Sequence, residues 1–219
     1  MSKQQSQSKK LILVFGIFFI LIIIIIIWLT AKKPDMISQE NFVFQPILEN
    51  DNVPTAQEKQ LVKAAWGCDE ETITKLLLDS KLSIDSKNEF GTTALMAVSQ
   101  IGCVDLVKLL VEKYKANVNI KNFYNRSALM LADYSSFDIM KTLLSNGADV
   151  HIKNKCCDST TLMLVAGSYD NYIDVVKLLI EYGADVNAKD KDGKTAIIYA
   201  QKNNPDNKKD IIQLLIEKK

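Results

Sequence analysis

The sequence predicts an all-α repeat solenoid: stacked helix–turn–helix units with β-hairpin fingers, preceded by one transmembrane helix. Three observations carry this. The phrase NGADVHIKNKCCDSTTLMLVA at 146–166 returns, altered, as YGADVNAKDKDGKTAIIYA at 182–200. Leu61, Leu95, Leu129, Leu162 and Ile197 follow one another at spacings of 34, 34, 33 and 35 residues, and a period of roughly 33 marks an array of stacked units. Residues 11–29, LILVFGIFFILIIIIIIWL, form an unbroken apolar run.

Residues 1–10 read as a short polar tail. The apolar run then predicts a membrane-spanning helix over 11–30. As a helix it rises about 28 Å, close to the thickness of a hydrocarbon core, and Trp28 falls where an interfacial aromatic belongs. A cleaved signal peptide is the rival reading, with Lys9 and Lys10 as its charged start. The run is longer than a signal core, and WLTAKK offers a poor cleavage site, so an uncleaved anchor fits better. Lys3, Lys9 and Lys10 lie before it and Lys32 and Lys33 after it. That small bias favours a cytoplasmic N-terminus and an extracytoplasmic remainder, periplasmic in a bacterium. Residues 31–57 read as a linker, because Pro34, Pro46 and Pro54 interrupt any long helix.

The repeat region spans 58–219 as about five units, 58–90, 91–124, 125–157, 158–192 and 193–219. Thr93, Ser127, Thr160 and Thr195 are predicted N-caps, whose hydroxyls accept from free N–H groups at a helix start. A short apolar helix follows each, as in ALMAVSQIG at 94–102. The second helices are ITKLLL, LVKLLV, IMKTLL, VVKLLI and IIQLLI, with apolar residues recurring at i, i+3 and i+4. Gly147 and Gly183 are placed to end such helices in the left-handed region. An extended ADVN stretch then leads to a turn such as KDKDGK. Alone, such a unit cannot bury its apolar face; stacked, the units share a core. The end units read as caps, with Lys208, Lys209, Gln213 and Glu217 as a polar outer face.

Composition excludes other classes. The 219 residues carry 27 basic and 26 acidic groups, a net charge of +1, so no basic footprint for nucleic acid exists. There is one histidine, His151, at a finger base. No Ser/His/Asp set is within reach, and no phosphate loop occurs. We expect no enzyme activity, no cofactor, no resident metal and no small-molecule substrate.

These units resemble ankyrin repeats, with a signature of G-x-T-P-L-H-x-A, a G-H turn, V-x-L-L-L and G-A-D-V-N. Gly91, Thr93, Leu95, Gly102, Leu109, Leu110 and the run Gly183, Ala184, Asp185, Val186, Asn187 carry the likeness. Ala or Thr stands where the family has proline. Val62, Met96, Met130, Met163 and Ile198 stand where the family has a histidine that ties neighbouring repeats, so apolar packing must substitute. Unit two carries an extra residue at Lys113-Tyr114, with Lys115 in place of the glycine cap. Units three and four differ around Cys156-Cys157 and at GSYDNYID, where the stack should bend or bulge.

The resemblance implies recognition of a protein partner through the fingers and the exposed face of the first helices. The residues expected there are Glu89, Phe90, Ile101, Phe123, Tyr124, Tyr134, Lys155, Tyr169, Lys191 and Asp192. Aromatic residues are enriched at interface hot spots; the bland reading is that each ring fills a gap between fingers. Whether such a module acts as scaffold or inhibitor stays open. The alternative function is a thiol-based redox or metal sensor using Cys156-Cys157. Cys68 and Cys103 sit at what reads as the same turn of adjacent units. Packed helices lie about 8–10 Å apart and a disulfide needs Cα atoms within about 7 Å, so that pair is expected to stay unbridged.

Overall fold

In the computed structural model, which describes residues 53–79, 82–202 and 205–219, five helix pairs follow one another. They are α1 (Ala56–Trp66) with α2 (Glu70–Asp79), α3 (Ala94–Ile101) with α4 (Val104–Lys108), α5 (Ala128–Leu131) with α6 (Phe137–Ser145), α7 (Thr161–Ala166) with α8 (Ile173–Glu181), and α9 (Ala196–Lys202) with α10 (Lys209–Glu217). All described residues fall in one compact unit. The first helices pack in a row, α1 on α3, α3 on α5, α5 on α7 and α7 on α9, and α4, α6, α8 and α10 form a second row. Among the described residues no helix is long and apolar enough to cross a membrane. The tail, the span expected over 11–30 and most of the linker lie outside them.

Local chemistry sets the starts of α1, α3, α5 and α7. The hydroxyls of Thr93, Ser127 and Thr160 accept from the N–H groups of Met96, Met130 and Met163. Unit one has no finger and starts instead with a capping box: Glu58 N–H donates to Thr55 Oγ1 and Thr55 N–H to Glu58 Oε2, satisfying two orphan donors reciprocally. The first helix therefore begins at Ala56, just inside the expected linker. Leu61, Leu95, Leu129 and Leu162 are buried, and so are the three methionines that replace the expected histidine. Ile73, Leu110, Leu143, Leu179 and Leu215 bury the inner face of the second row.

The extra residue of unit two is absorbed as a π turn over Leu109–Lys113. Tyr114 N–H donates to Leu109 O five residues back and Ala116 N–H to Leu110 O six back. The wider turn restores register in time for Val118, which is buried. Lys115 then takes the left-handed conformation, φ 56°, that Gly147 and Gly183 take elsewhere.

Three expectations are corrected. The fingers are turns rather than β-hairpins: the only extended pairing among the described residues is one antiparallel bridge, Lys87 to Thr93. Each finger is held by an acceptor side chain at its tip, so no ladder is needed. Cys68 and Cys103 form a disulfide, with Cα atoms 6.2 Å apart. They do not share a turn position. Cys68 follows Leu61 as Gly102 follows Leu95 and adopts the left-handed φ of 51° seen at Gly102 as 90°. The one-residue offset carries Cys68 toward the start of α4, where Cys103 is the N-cap. Closing a loop of separation 35 is worth about 3–4 kcal/mol on the chain-entropy view. Lys208, finally, is no part of a polar end face. It is buried, and its ammonium donates to Ser168 Oγ and Asp170 O, pinning the α7–α8 turn of the preceding unit. Lys209, Gln213 and Glu217 do face outward.

A side chain in the left-handed region costs about 1 kcal/mol relative to glycine. Lys115→Gly should therefore raise the unfolding free energy by about that much, read from the urea midpoint at unchanged m-value.

Candidate functional site

Among the described residues four fingers join the five helix pairs, and each repeats the same polar construction. At its base, the third residue of each GADVN-type stretch folds back on the fifth. Asp85 N–H donates to Ser83 Oγ, Asn119 N–H to Asn117 Oδ1, His151 N–H to Asp149 Oδ1 and Asn187 N–H to Asp185 Oδ1. These are the side-chain turns that Ser, Asn and Asp make best. At the tip, one Oδ1 gathers the loop. Asn88 accepts from Phe90 and Thr92, Asn122 from Tyr124 and Arg126, and Asp190 from Asp192 and Lys194. In the third finger Asn154 accepts from Cys157 and Ser159. That finger is one residue longer, and Cys156-Cys157 is where the extra length sits. Gly91, Asn125, Asp158 and Gly193 supply the single left-handed residue each tip requires.

Neighbouring fingers are tied tip to tip. Phe123 N–H donates to Phe90 O, Lys155 N–H to Tyr124 O and Lys191 N–H to Cys157 O. A second tie lands on one equivalent carbonyl per finger. Lys87 Nζ donates to Lys121 O at 3.3 Å, Asn125 Nδ2 to Lys153 O at 2.5 Å and Lys153 Nζ to Lys189 O at 2.9 Å. The lysines of the fingers thus also clamp one finger to the next. Lys191 Nζ likewise donates to Cys156 O.

The expected partner residues divide into two groups. Phe90, Phe123 and Tyr124 stand on adjacent finger tips, 38 %, 62 % and 44 % exposed, and Glu89, Lys155, Lys191 and Asp192 are exposed beside them. The Phe123 ring lies against Gly91, where an added Cβ would meet it at 3.0 Å. Ile101 and Tyr169 are exposed at the far ends of the first helices. Tyr134 is the departure. It lies in the turn after α5, packs half-buried edge-on to Tyr172, and donates to Met130 O at 2.7 Å. Burial drives its hydroxyl well above the ordinary tyrosine range. Its position has a packing duty that the sequence pattern did not reveal.

The thiols of Cys156 and Cys157 are free, with sulfurs 2.7 Å apart. Burial, aided by the neighbouring thiol, pushes Cys157 up from its ordinary value. Among the described residues no three His, Cys, Asp or Glu side chains gather as a metal site would. Beside the pair lies a network that sequence reasoning missed. Tyr199 Oη donates to Asp190 Oδ2 at 2.8 Å and meets Ser159 Oγ at 2.8 Å. Burial pushes Tyr199 up to about 12. The same desolvation acts to raise Asp190. Donation from Tyr199 and from the Lys194 and Asp192 N–H groups, with the Lys194 charge, outweighs it and holds the carboxyl below its ordinary 3.8. The only cue in the sequence was the aspartate at a place where the other fingers carry asparagine.

A family model described as ankyrin repeats, in 3 copies, matches residues 61–154 and again 136–219.

Asp190→Asn keeps the Oδ1 tip acceptor that the other fingers use, removes the charge, and replaces the Oδ2 that accepts from Tyr199 with an amide donor. A depressed carboxyl contributes stability that is complete above its unfolded value and lost as pH falls through the folded one. The wild type should therefore lose more stability than the variant between pH 5 and about pH 3, measured by urea unfolding at each pH.

Proposed function

The chain belongs to the ankyrin repeat family, and from that premise we propose a membrane-anchored interaction module. Ankyrin repeats generally mediate protein–protein interaction and are typically non-enzymatic. The observation that carries the present reading is the row Phe90, Phe123 and Tyr124, exposed on finger tips that the inter-finger bonds hold rigid. Tips whose backbone is tied before binding lose little backbone freedom on binding, and exposed aromatics of this kind anchor interfaces. The exposed Glu89, Lys155 and Asp192 supply a charged rim. Ile101 and Tyr169, at the far ends of the first helices, extend the strip across the face. The module serves as scaffold or inhibitor by occupying a protein partner.

The apolar run at 11–29 supports a single-pass anchor over 11–30, and the lysine bias favours the repeats outside the cytoplasm. The Cys68–Cys103 disulfide adds a second support for that side, because such bonds persist in oxidising compartments.

Alanine at Phe90, Phe123 and Tyr124 together should abolish capture of the partner from a detergent extract while the helical circular dichroism stays unchanged. Unchanged capture would remove the strip as the interface. The side of the membrane is read separately. A membrane-impermeant maleimide should label Cys156-Cys157 in intact cells without lysis, whereas labelling only after lysis would put the repeats in the cytoplasm.

A further inference from the structure

The finger bases carry a second ladder, and it is broken at one place. Between units one and two, Asp85 Oδ1 accepts from the N–H of Asn117 at 3.0 Å. Between units two and three, Asn119 Oδ1 accepts from the N–H of Asp149 at 2.8 Å, and its Nδ2 donates to Gly147 O at 2.9 Å. In each case the fifth residue of one GADVN-type stretch presents an acceptor to the third residue of the next. At the following junction the fifth residue is His151 and the waiting donor is the N–H of Asp185. Among the described residues no hydrogen bond joins the His151 side chain to a partner, and none ends on the Asp185 N–H.

A cavity of about 390 Å³ opens where that rung is missing, lined by His151, Lys153, Thr160, Asp185, Asn187 and Lys189. Its polar wall is rich in donors. The Asp185 N–H is unclaimed, His151 brings an imidazole N–H, and Lys153 and Lys189 bring ammonium groups. Lys153 Nζ donates to Lys189 O at 2.9 Å. The one carboxylate in the lining, Asp185, already accepts from the Asn187 N–H through Oδ1 at 2.8 Å. A backbone donor with two lysines and a histidine lining the same cavity, against one carboxylate, suits an anionic oxygen.

We infer that this gap is a specificity pocket for a carboxylate, the Asp or Glu side chain of the protein partner, which supplies the missing rung by accepting from Asp185 N–H and pairing with His151 and Lys189. The inference rests on the interaction reading for its physiological source. It assigns the partner an acidic residue, which enters at the base of the third and fourth fingers while its apolar surface meets the aromatic tips.

The test is a titration of the full-length, 15N-labelled chain in neutral detergent with a blocked glutamate, N-acetyl-glutamate N-methylamide, using the blocked glutamine as control. The Asp185 amide and the His151 ring should shift saturably with glutamate and not with glutamine. His151→Asn rebuilds the rung that Asn119 makes and should weaken the response at least tenfold. Should that variant fail to fold, Lys189→Gln leaves the backbone ladder untouched and should still weaken it several-fold. No saturable shift, an equal response to glutamine, or a response unchanged in the folded variant would overturn the pocket. This outcome is separate from that of the aromatic triple variant. A pocket that titrates beside a strip whose loss leaves capture unchanged would sink the strip and leave the pocket standing.

Discussion

The stack depends on one acceptor oxygen per finger. Asn88, Asn122, Asn154 and Asp190 each fold their own tip around a single Oδ1. Only a tip folded that way presents the N–H and carbonyl that bond to the fingers on either side. The helices supply most of the apolar burial, but they are short; α5 is a single turn of 4 residues. Helices of that length are not stable alone. They persist because the leucine and methionine at the start of α3, α5 and α7 are buried against neighbouring units, and the fingers fix the spacing at which that contact is made. Loss of the acceptor at Asn122 or Asn154 would therefore loosen two junctions, since the two middle fingers bond to a neighbour on each side.

Wherever the chemistry was local, the sequence disclosed the fold. A hydroxyl at Thr93 or Ser127 caps the helix that begins one residue later, and a glycine at 147 or 183 ends the helix just before it. Both features are complete within a few residues, so spacing alone finds them. What stayed hidden depends on residues from different units. The disulfide was obscured by an offset of one residue between Cys68 and Cys103, which reverses the conclusion drawn from helix spacing. Lys208 reads as a solvated end charge until the turn at Ser168 to Asp170 is folded against it. Tyr134 reads as a free aromatic because its partners, the Met130 carbonyl and the Tyr172 ring, come from the end of α5 and from the next unit.

Irregular units are accommodated without disturbing their neighbours. The extra residue in unit two is taken up in the second helix as a π turn, and the extra residue in unit three is taken up at a finger tip, between Asn154 and Ser159. In each case the insertion is closed off by hydrogen bonds before the next first helix begins. The buried leucines consequently keep their places although the spacing between them varies. This tolerance separates the two demands on the chain: helix interiors keep the register, while tips and helix ends are free to carry unusual residues such as the paired cysteines.

The Cys68–Cys103 bridge also changes how the solenoid would bear a mechanical load. Solenoids come apart unit by unit from their ends. A pull applied at the N-terminal end would first straighten α1 and then reach Cys68. From there tension passes through the sulfurs directly to Cys103 and the start of α4, and the segment between them becomes a slack loop off the line of force. That loop holds α2, the first finger and α3, including Phe90 and the acceptor Asn88. The first finger tip is therefore shielded from a pull at the end nearest to it, and it holds its shape for as long as the two sulfurs remain joined.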